Sequence, residues 1–256
     1  MSKKTEKKIV IANWKMNPAS LKEAEIIFTT INKKSVFKKI EVVICPPFLY
    51  LNSLKKISKK IILGAQNAFW QEEGAYTGEV SAEMLLNIGV KYVIIGHSER
   101  RKLGETNLDV NKKIKIVLSF GLRPIVCVGE TERDENHGYF NIVKNQIEEC
   151  LNGVNKENIQ KIIIAYEPVW ALSTTANRRD ATSADAREMS LFIKKILSVK
   201  FGIKTKLPRI IYGGSVNDKN CEDFLKNGGV DGALPGAASL SPDKFLEIIR
   251  VAESIG

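Results

Sequence analysis

Eight buried strands alternating with amphipathic helices, closed into one (β/α)8 barrel, is the fold that this 256-residue sequence predicts. Three observations lead there. The length is that of one α/β barrel, about 250 residues. Short apolar runs recur at even intervals and are continuous rather than alternating, as parallel strands covered on both faces require. Helical patterns lie between them, several ending in glycine, the usual helix stop. An open doubly wound sheet is the alternative, though it rarely needs eight such units. No linker or low-complexity segment divides residues 1–256, so one domain with eight parallel strands is expected, with residues 1–7 a disordered basic N-terminus.

In chain order, KIVIAN (8–13) reads as the first strand, and 21–34 as a helix with Ser20 as N-cap. EVVIC (41–45) and KIILGAQN (60–67) follow as strands, then a helix over 81–89. KYVIIG (91–96), RPIVCVG (123–129) and KIIIAYE (161–167) are the next strands, separated by helices over 107–121 and 140–153. A helix over 184–202, RIIYGG (209–214), a helix over 217–229, VDGAL (230–234) and a helix over 241–254 complete the alternation.

Hydrophobic residues make up 44%, enough for a substantial core, and the net charge of +10 favours anionic partners. The lysines are dispersed, as at Lys3, Lys4, Lys7 and Lys8, or Lys55, Lys56, Lys59 and Lys60. That is a solvated surface rather than a docking face, so neither a nucleic-acid nor a membrane partner is expected. Cys45, Cys127, Cys150 and Cys221 are far apart, and with only two histidines they assemble no zinc pattern. Unpaired cysteines in a chain this long suggest a reducing, cytoplasmic compartment. The apolar stretch after MSKKTEKK stops at Asn13 and Lys15, too short for a signal peptide. No charge-free run approaches the roughly 18 residues that would span a bilayer.

Activity in such a barrel sits at the C-terminal ends of the strands. There the first strand brings Asn13 and Lys15, two apart and so on one face. His97 lies just past the fourth strand and Glu167 at the tip of the sixth. Gly213, Gly214 and Ser215 follow the seventh; Gly236 and Ala237 follow the eighth. Each alone has an ordinary structural reading: a surface ion pair for Glu167, a satisfied core imidazole for His97, a turn for Asn13, backbone room for the glycines. Independent structural needs would not gather all of them at strand C-termini. Ser98 reads as the N-cap of a short helix, whose positive end disfavours a protonated His97 and leaves it a neutral donor.

The segments NWKMN (13–17), GAQN (64–67), GAYTGEVS (74–81), GHSERR (96–101), AYEPVWA (165–171), YGGSVN (212–217) and GAASL (236–240) resemble the triosephosphate isomerase family, over about residues 8–252. That resemblance implies a TIM barrel without metal or organic cofactor. It implies interconversion of dihydroxyacetone phosphate and D-glyceraldehyde 3-phosphate through an enediolate, in glycolysis and gluconeogenesis. By resemblance Glu167 is the general base. His97 polarises the carbonyl and moves protons between the oxygens. Lys15, held by Glu99, supplies positive charge, with Asn13 a polar contact beside it. Ser215, Gly236 and Ala237 offer backbone N–H groups to the phosphate, aided by a short helix N-terminus. Ser98, Gly213 and Gly214 support the site. The loop after Glu167 is the lid that closes over substrate, a gating device for which this family is a standard example, with a phosphate contact at Ser173. Thr77 matches the residue the family inserts into a partner subunit, implying a homodimer.

Three departures stand out. The family lid usually carries two glycines and a lysine, whereas ALSTTANRRDAT (171–182) has no glycine and is longer by about three residues. A serine at 173 is unfavourable if the family glycine there has positive φ. Arg178 and Arg179 are within reach of the phosphate but are expected in solvent or paired with acidic neighbours. In LPGAAS (234–239), Ala237 replaces a second glycine and Pro235 a β-branched residue; SERRKLGET (98–106) is one residue shorter than usual. Two rival readings remain. A Schiff-base aldolase would need a lysine on a central strand, and Lys161 is at the wrong end of the sixth. An inactive barrel binding nucleic acid would need clustered lysines interleaved with aromatics.

Overall fold

The computed structural model describes residues 7–34, 37–172, 175, 178–203 and 206–256. Its strands are β1 (Lys8–Asn13), β2 (Ile40–Cys45), β3 (Ile62–Ala65), β4 (Tyr92–Ile95), β5 (Arg123–Val128), β6 (Ile163–Tyr166), β7 (Arg209–Tyr212) and β8 (Gly232–Ala233). Every neighbouring pair is parallel, and β8 pairs with β1, so the sheet is a closed barrel in chain order. Closure needs a glycine on β8: a Cβ on Gly232 would lie 1.9 Å from the Ile9 carbonyl oxygen.

The helices are α1 (Leu21–Lys33), α2 (Leu51–Ile57), α3 (Ala82–Ile88), α4 (Ser98–Lys102), α5 (Asn107–Ser119), α6 (Tyr139–Cys150), α7 (Lys156–Ile159), α8 (Ser183–Phe201), α9 (Cys221–Asn227) and α10 (Pro242–Ile255). Ser20 caps α1 as its position suggests, accepting from the Glu23 N–H. Reciprocal capping boxes start α5 (Thr106 with Asp109) and α8 (Thr182 with Asp185). The sequence reading lacks α2 and α7. The seven residues of α2 and the four of α7 are too few for a 3.6-residue period to declare itself. Conversely, β3, β4, β6, β7 and β8 are shorter than the runs that suggested them. No helix among the described residues is long and apolar enough to cross a membrane.

Two apolar layers hold the fold. Ile9, Ile11, Val43, Ile94, Ile125, Ile163 and Ile211 fill the barrel, as inward positions of neighbouring strands do. A larger layer between strands and helices includes Trp14, Phe28, Ile44, Val126, Ile193 and Phe245. Cys45, Cys127, Cys150 and Cys221 are all free thiols and all buried.

The N-terminal end of the barrel is closed by charge rather than by apolar bulk. Arg209 of β7 pairs with Glu41 of β2 and donates to the Tyr92 hydroxyl at 3.2 Å. Arg123 donates to the same hydroxyl at 2.9 Å, and that hydroxyl reaches Glu41 at 3.1 Å. Burial opposes the charge on Arg209, yet Glu41 and Tyr92 outweigh it and its pKa lies above the ordinary value. Removing one partner of such a buried pair leaves the other uncompensated, so Arg209→Ala is expected to cost about 3 kcal/mol in a urea melt.

Burial also pushes the phenols of Tyr92, Tyr166 and Tyr212 up. The folded state therefore holds these protons more tightly than the unfolded chain does. The resulting stability is complete below the unfolded value of roughly 10 and is lost as pH rises beyond it. The urea midpoint is expected to fall steadily above that pH, with a fraction of the tyrosinate absorbance appearing only on unfolding. Tyrosines that all ionise together while the chain stays folded would contradict this.

Candidate active site at the mouth of the barrel

The chain leaves β1 through a strained turn. Lys15 has φ 54°, a left-handed conformation that costs a non-glycine residue energy and persists only where neighbours over-determine it. The Asn13 side chain accepts the Lys15 N–H at 3.0 Å. Gln66, just beyond β3, donates to the Lys15 carbonyl at 2.8 Å and to the Cys45 carbonyl at 2.9 Å. Held this way, Lys15 sends its ammonium to Glu99 Oε1, 2.6 Å away. Gln66 belongs to GAQN, a segment the sequence reading quoted without assigning the side chain a task.

Glu99 sits in the first turn of α4, and the start of that helix differs from expectation. The N-cap is His97, not Ser98: His97 has φ −55° and ψ 143°, and its ring accepts the Glu99 N–H. Ser98 is the first helical residue. The contact runs to Nδ1 at 3.2 Å, so that nitrogen presents a lone pair and the ring proton belongs on Nε2. Nε2 faces Glu167 Oε1 at 3.3 Å.

Glu167 continues the β6 ladder, its N–H bonded to the Val128 carbonyl at 2.8 Å. Its side chain is 2% exposed. Oε2 accepts the Ser98 N–H at 3.2 Å, one of the donors that a helix start leaves without an intrahelical partner. Beneath it, burial and then the Glu167 charge push the Cys127 thiol well above its usual range. Gly213 makes the room: a Cβ there would lie 2.9 Å from Glu167 Cγ.

A cavity of about 480 Å³ opens beside these groups, lined by Asn13, Lys15, His97, Glu99, Gly213, Gly214, Ser215, Gly236 and Ala237. Glu167 itself borders a smaller adjoining space of about 290 Å³, with Ser98 and Cys127. Strands β1, β4, β6, β7 and β8 thus bring together all the residues singled out at their tips except Ser173, which lies outside the described residues, and Thr77. Thr77 is exposed in the long loop that follows β3.

Comparison with known proteins decides what this constellation is. The family model for triosephosphate isomerase matches residues 8–252. The chain belongs to the triosephosphate isomerase family. Relatives named triosephosphate isomerase include one from Dictyoglomus thermophilum, 45% identical across 95% of this chain and 99% of its own length. Another, from Alkaliphilus oremlandii, is 42% identical across 95% and 99%. A third, from Caldanaerobacter subterraneus subsp. tengcongensis, is 44% identical across 94% and 98%. Membership makes the chain an isomerase of triose phosphates, a step of glycolysis.

Within the family frame, the departures now have structural form. Ala237 is not among the described non-glycine residues with positive φ; it opens a 3-10 turn over Ala237–Leu240, where a Cβ is unstrained. The turn is tied down by Ser239, whose hydroxyl donates to the Gly236 carbonyl at 2.6 Å. In the loop after Glu167, Arg178 pairs with Asp180 at 3.0 Å, as expected, but it also lines the main cavity. Arg179 is exposed, within the solvent alternative that the sequence allowed, and its guanidinium lies 4.5 Å over the Trp170 ring.

Sequence reasoning gave no role to Glu130, the glutamate of CVGE. It is fully buried after β5 and accepts from the Tyr166 hydroxyl and the Trp170 indole, each at 2.8 Å. Arg133 lies 3.3 Å from Glu130 and reaches Asp185 at the start of α8 at 2.9 Å. One buried carboxylate therefore fixes the chain on both sides of the lid. A carboxylate directly after an apolar strand was the available signal, the same one that marked Glu167.

Because a Cβ at Gly213 must displace Glu167, Gly213→Ala is expected to leave a folded protein whose kcat falls by about a hundredfold, the order of effect that ångström-scale misplacement produces. A steady-state assay with glyceraldehyde 3-phosphate measures it, and an unchanged kcat would show that the position of Glu167 tolerates the shift.

Proposed function

We propose that the chain interconverts dihydroxyacetone phosphate and D-glyceraldehyde 3-phosphate with Glu167 as the base. Glu167 removes a proton from the carbon beside the carbonyl and returns it to the neighbouring carbon. The observation that carries this reading is the approach of Glu167 Oε1 to within 3.3 Å of His97 Nε2, in a chain whose family performs this chemistry. His97 donates from Nε2 to the substrate carbonyl as the enediolate forms, then moves the proton between the two oxygens. Lys15 faces the developing negative charge, and Glu99 fixes where that ammonium stands. The phosphate rests on the N–H groups of Ser215, Gly236 and Ala237. Glu167 turns about its side-chain bonds from the Ser98 N–H towards the main cavity when substrate arrives, and the space beside Gly213 permits that turn.

The working molecule on this reading is a homodimer. Met16, Leu49, Tyr76, Met84 and Leu86 are exposed apolar side chains in or after the loops that follow β1, β2 and β3. Burying them against a second copy accounts for that exposure. The compartment is the cytoplasm, supported by four free, buried thiols.

Glu167→Gln is expected to lower kcat by roughly 10²–10⁴-fold, the usual contribution of a general base, while the far-ultraviolet spectrum stays the same. Full activity in that variant would exclude the assigned base. Sedimentation equilibrium is expected to return twice the mass of one chain, and a single-chain mass at working enzyme concentrations would exclude the dimer.

A further inference from the structure

The family frame leaves two cationic groups that border the main cavity without a task, Arg178 and Lys244, and of the two Arg178 stands against Ser215. Arg178 borders the same space as Gly213, Gly214, Ser215, Gly236 and Ala237. Its Nη1 lies 3.4 Å from Ser215 Oγ, and that hydroxyl is already oriented because it donates to the Ala171 carbonyl at 2.8 Å. The guanidinium thus stands beside the turn proposed to hold the phosphate.

We propose that Arg178 is a phosphate-binding residue, a side-chain anchor that the lid of this chain uses where a glycine-rich lid offers backbone N–H groups. The proposal rests on the phosphate reading of the cavity given above. Three features support it. Lys15, whose side chain also borders the cavity, is engaged by Glu99 at 2.6 Å and so partly neutralised. The carboxylate held by Arg178 is Asp180, whose side chain is 82% exposed. Surface pairs of that kind contribute little, and a phosphate dianion in the cavity competes with it readily. A planar guanidinium also grips phosphate oxygens in pairs. Arg179, one residue on, carries the same charge but stacks on Trp170 and does not border the cavity. It is an internal control for charge without contact.

The test uses inorganic phosphate as the probe and the rise of Tm with phosphate concentration as the readout, which yields a Kd without any turnover. Losing one charge-assisted, bidentate contact is expected to raise that Kd about tenfold in Arg178→Ala, with partial recovery in Arg178→Lys and a change under about twofold in Arg179→Ala. The KM for glyceraldehyde 3-phosphate is expected to rise in step. If Arg178→Ala does not fold, Arg178→Gln supplies the same comparison. An unchanged Kd in the Arg178 variants overturns the proposal. So does an equal loss in Arg179→Ala, which would mean a diffuse field rather than a contact, and so does a wild type with no measurable phosphate stabilisation. Isomerase turnover of the wild type is a separate measurement: phosphate binding that depends on Arg178 in a protein without turnover would sink the catalytic reading and leave this one standing.

Discussion

A carboxylate taken out of water has to be met by donors, and at Glu167 that requirement organises the mouth of the barrel. Strand β6 carries it to a place where only 2% of the side chain is exposed. One oxygen accepts the first free N–H of α4, and the imidazole that caps the same helix stands 3.3 Å from the other. Placing them there fixes where α4 begins. The start of α4 fixes Glu99, and Glu99 fixes the ammonium of Lys15 on the opposite wall. The chain of dependence runs from one buried charge through a helix terminus to a second charge, and each link is a hydrogen bond or ion pair rather than apolar packing.

The supports behind these groups are as polar as the groups themselves. Gln66 ties two carbonyls beneath the strained Lys15 turn, and Glu130 gathers a phenol, an indole and a guanidinium around the lid. In a low-dielectric surrounding such networks hold their members in one geometry, which chemistry on a small substrate requires. The apolar layers set the overall shape of the barrel; these networks set the positions that matter within it.

Much of this was legible in the sequence, and the limits of legibility are physical. Continuous apolar strands such as KIIIAYE announce themselves because both faces are covered, and the residues breaking them at the tips announce the mouth. Short elements did not: α2 and α7 carry too few residues for a helical period. The cap of α4 was assigned to Ser98 because serine is the commoner cap, whereas the histidine ring takes that role through Nδ1. The tasks of Gln66 and Glu130 depend on which carbonyls and ring donors the fold brings near. That information lies in residues dozens of positions away and not in the local pattern. Arg179 is exposed, one of the two places the sequence suggested for it, but its stacking on the Trp170 indole was not legible because a distant ring leaves no local pattern.

The ionic plug of Arg209, Glu41, Tyr92 and Arg123 lies at the far end of the barrel from the chemistry. It seals that end with groups that touch none of the loops around the substrate. Durability and reactivity are thereby assigned to opposite poles of one molecule. Changes of length and composition at the mouth, such as a lid without glycine, leave the basal seal intact, so a lineage is free to vary the reactive pole without loosening the keel.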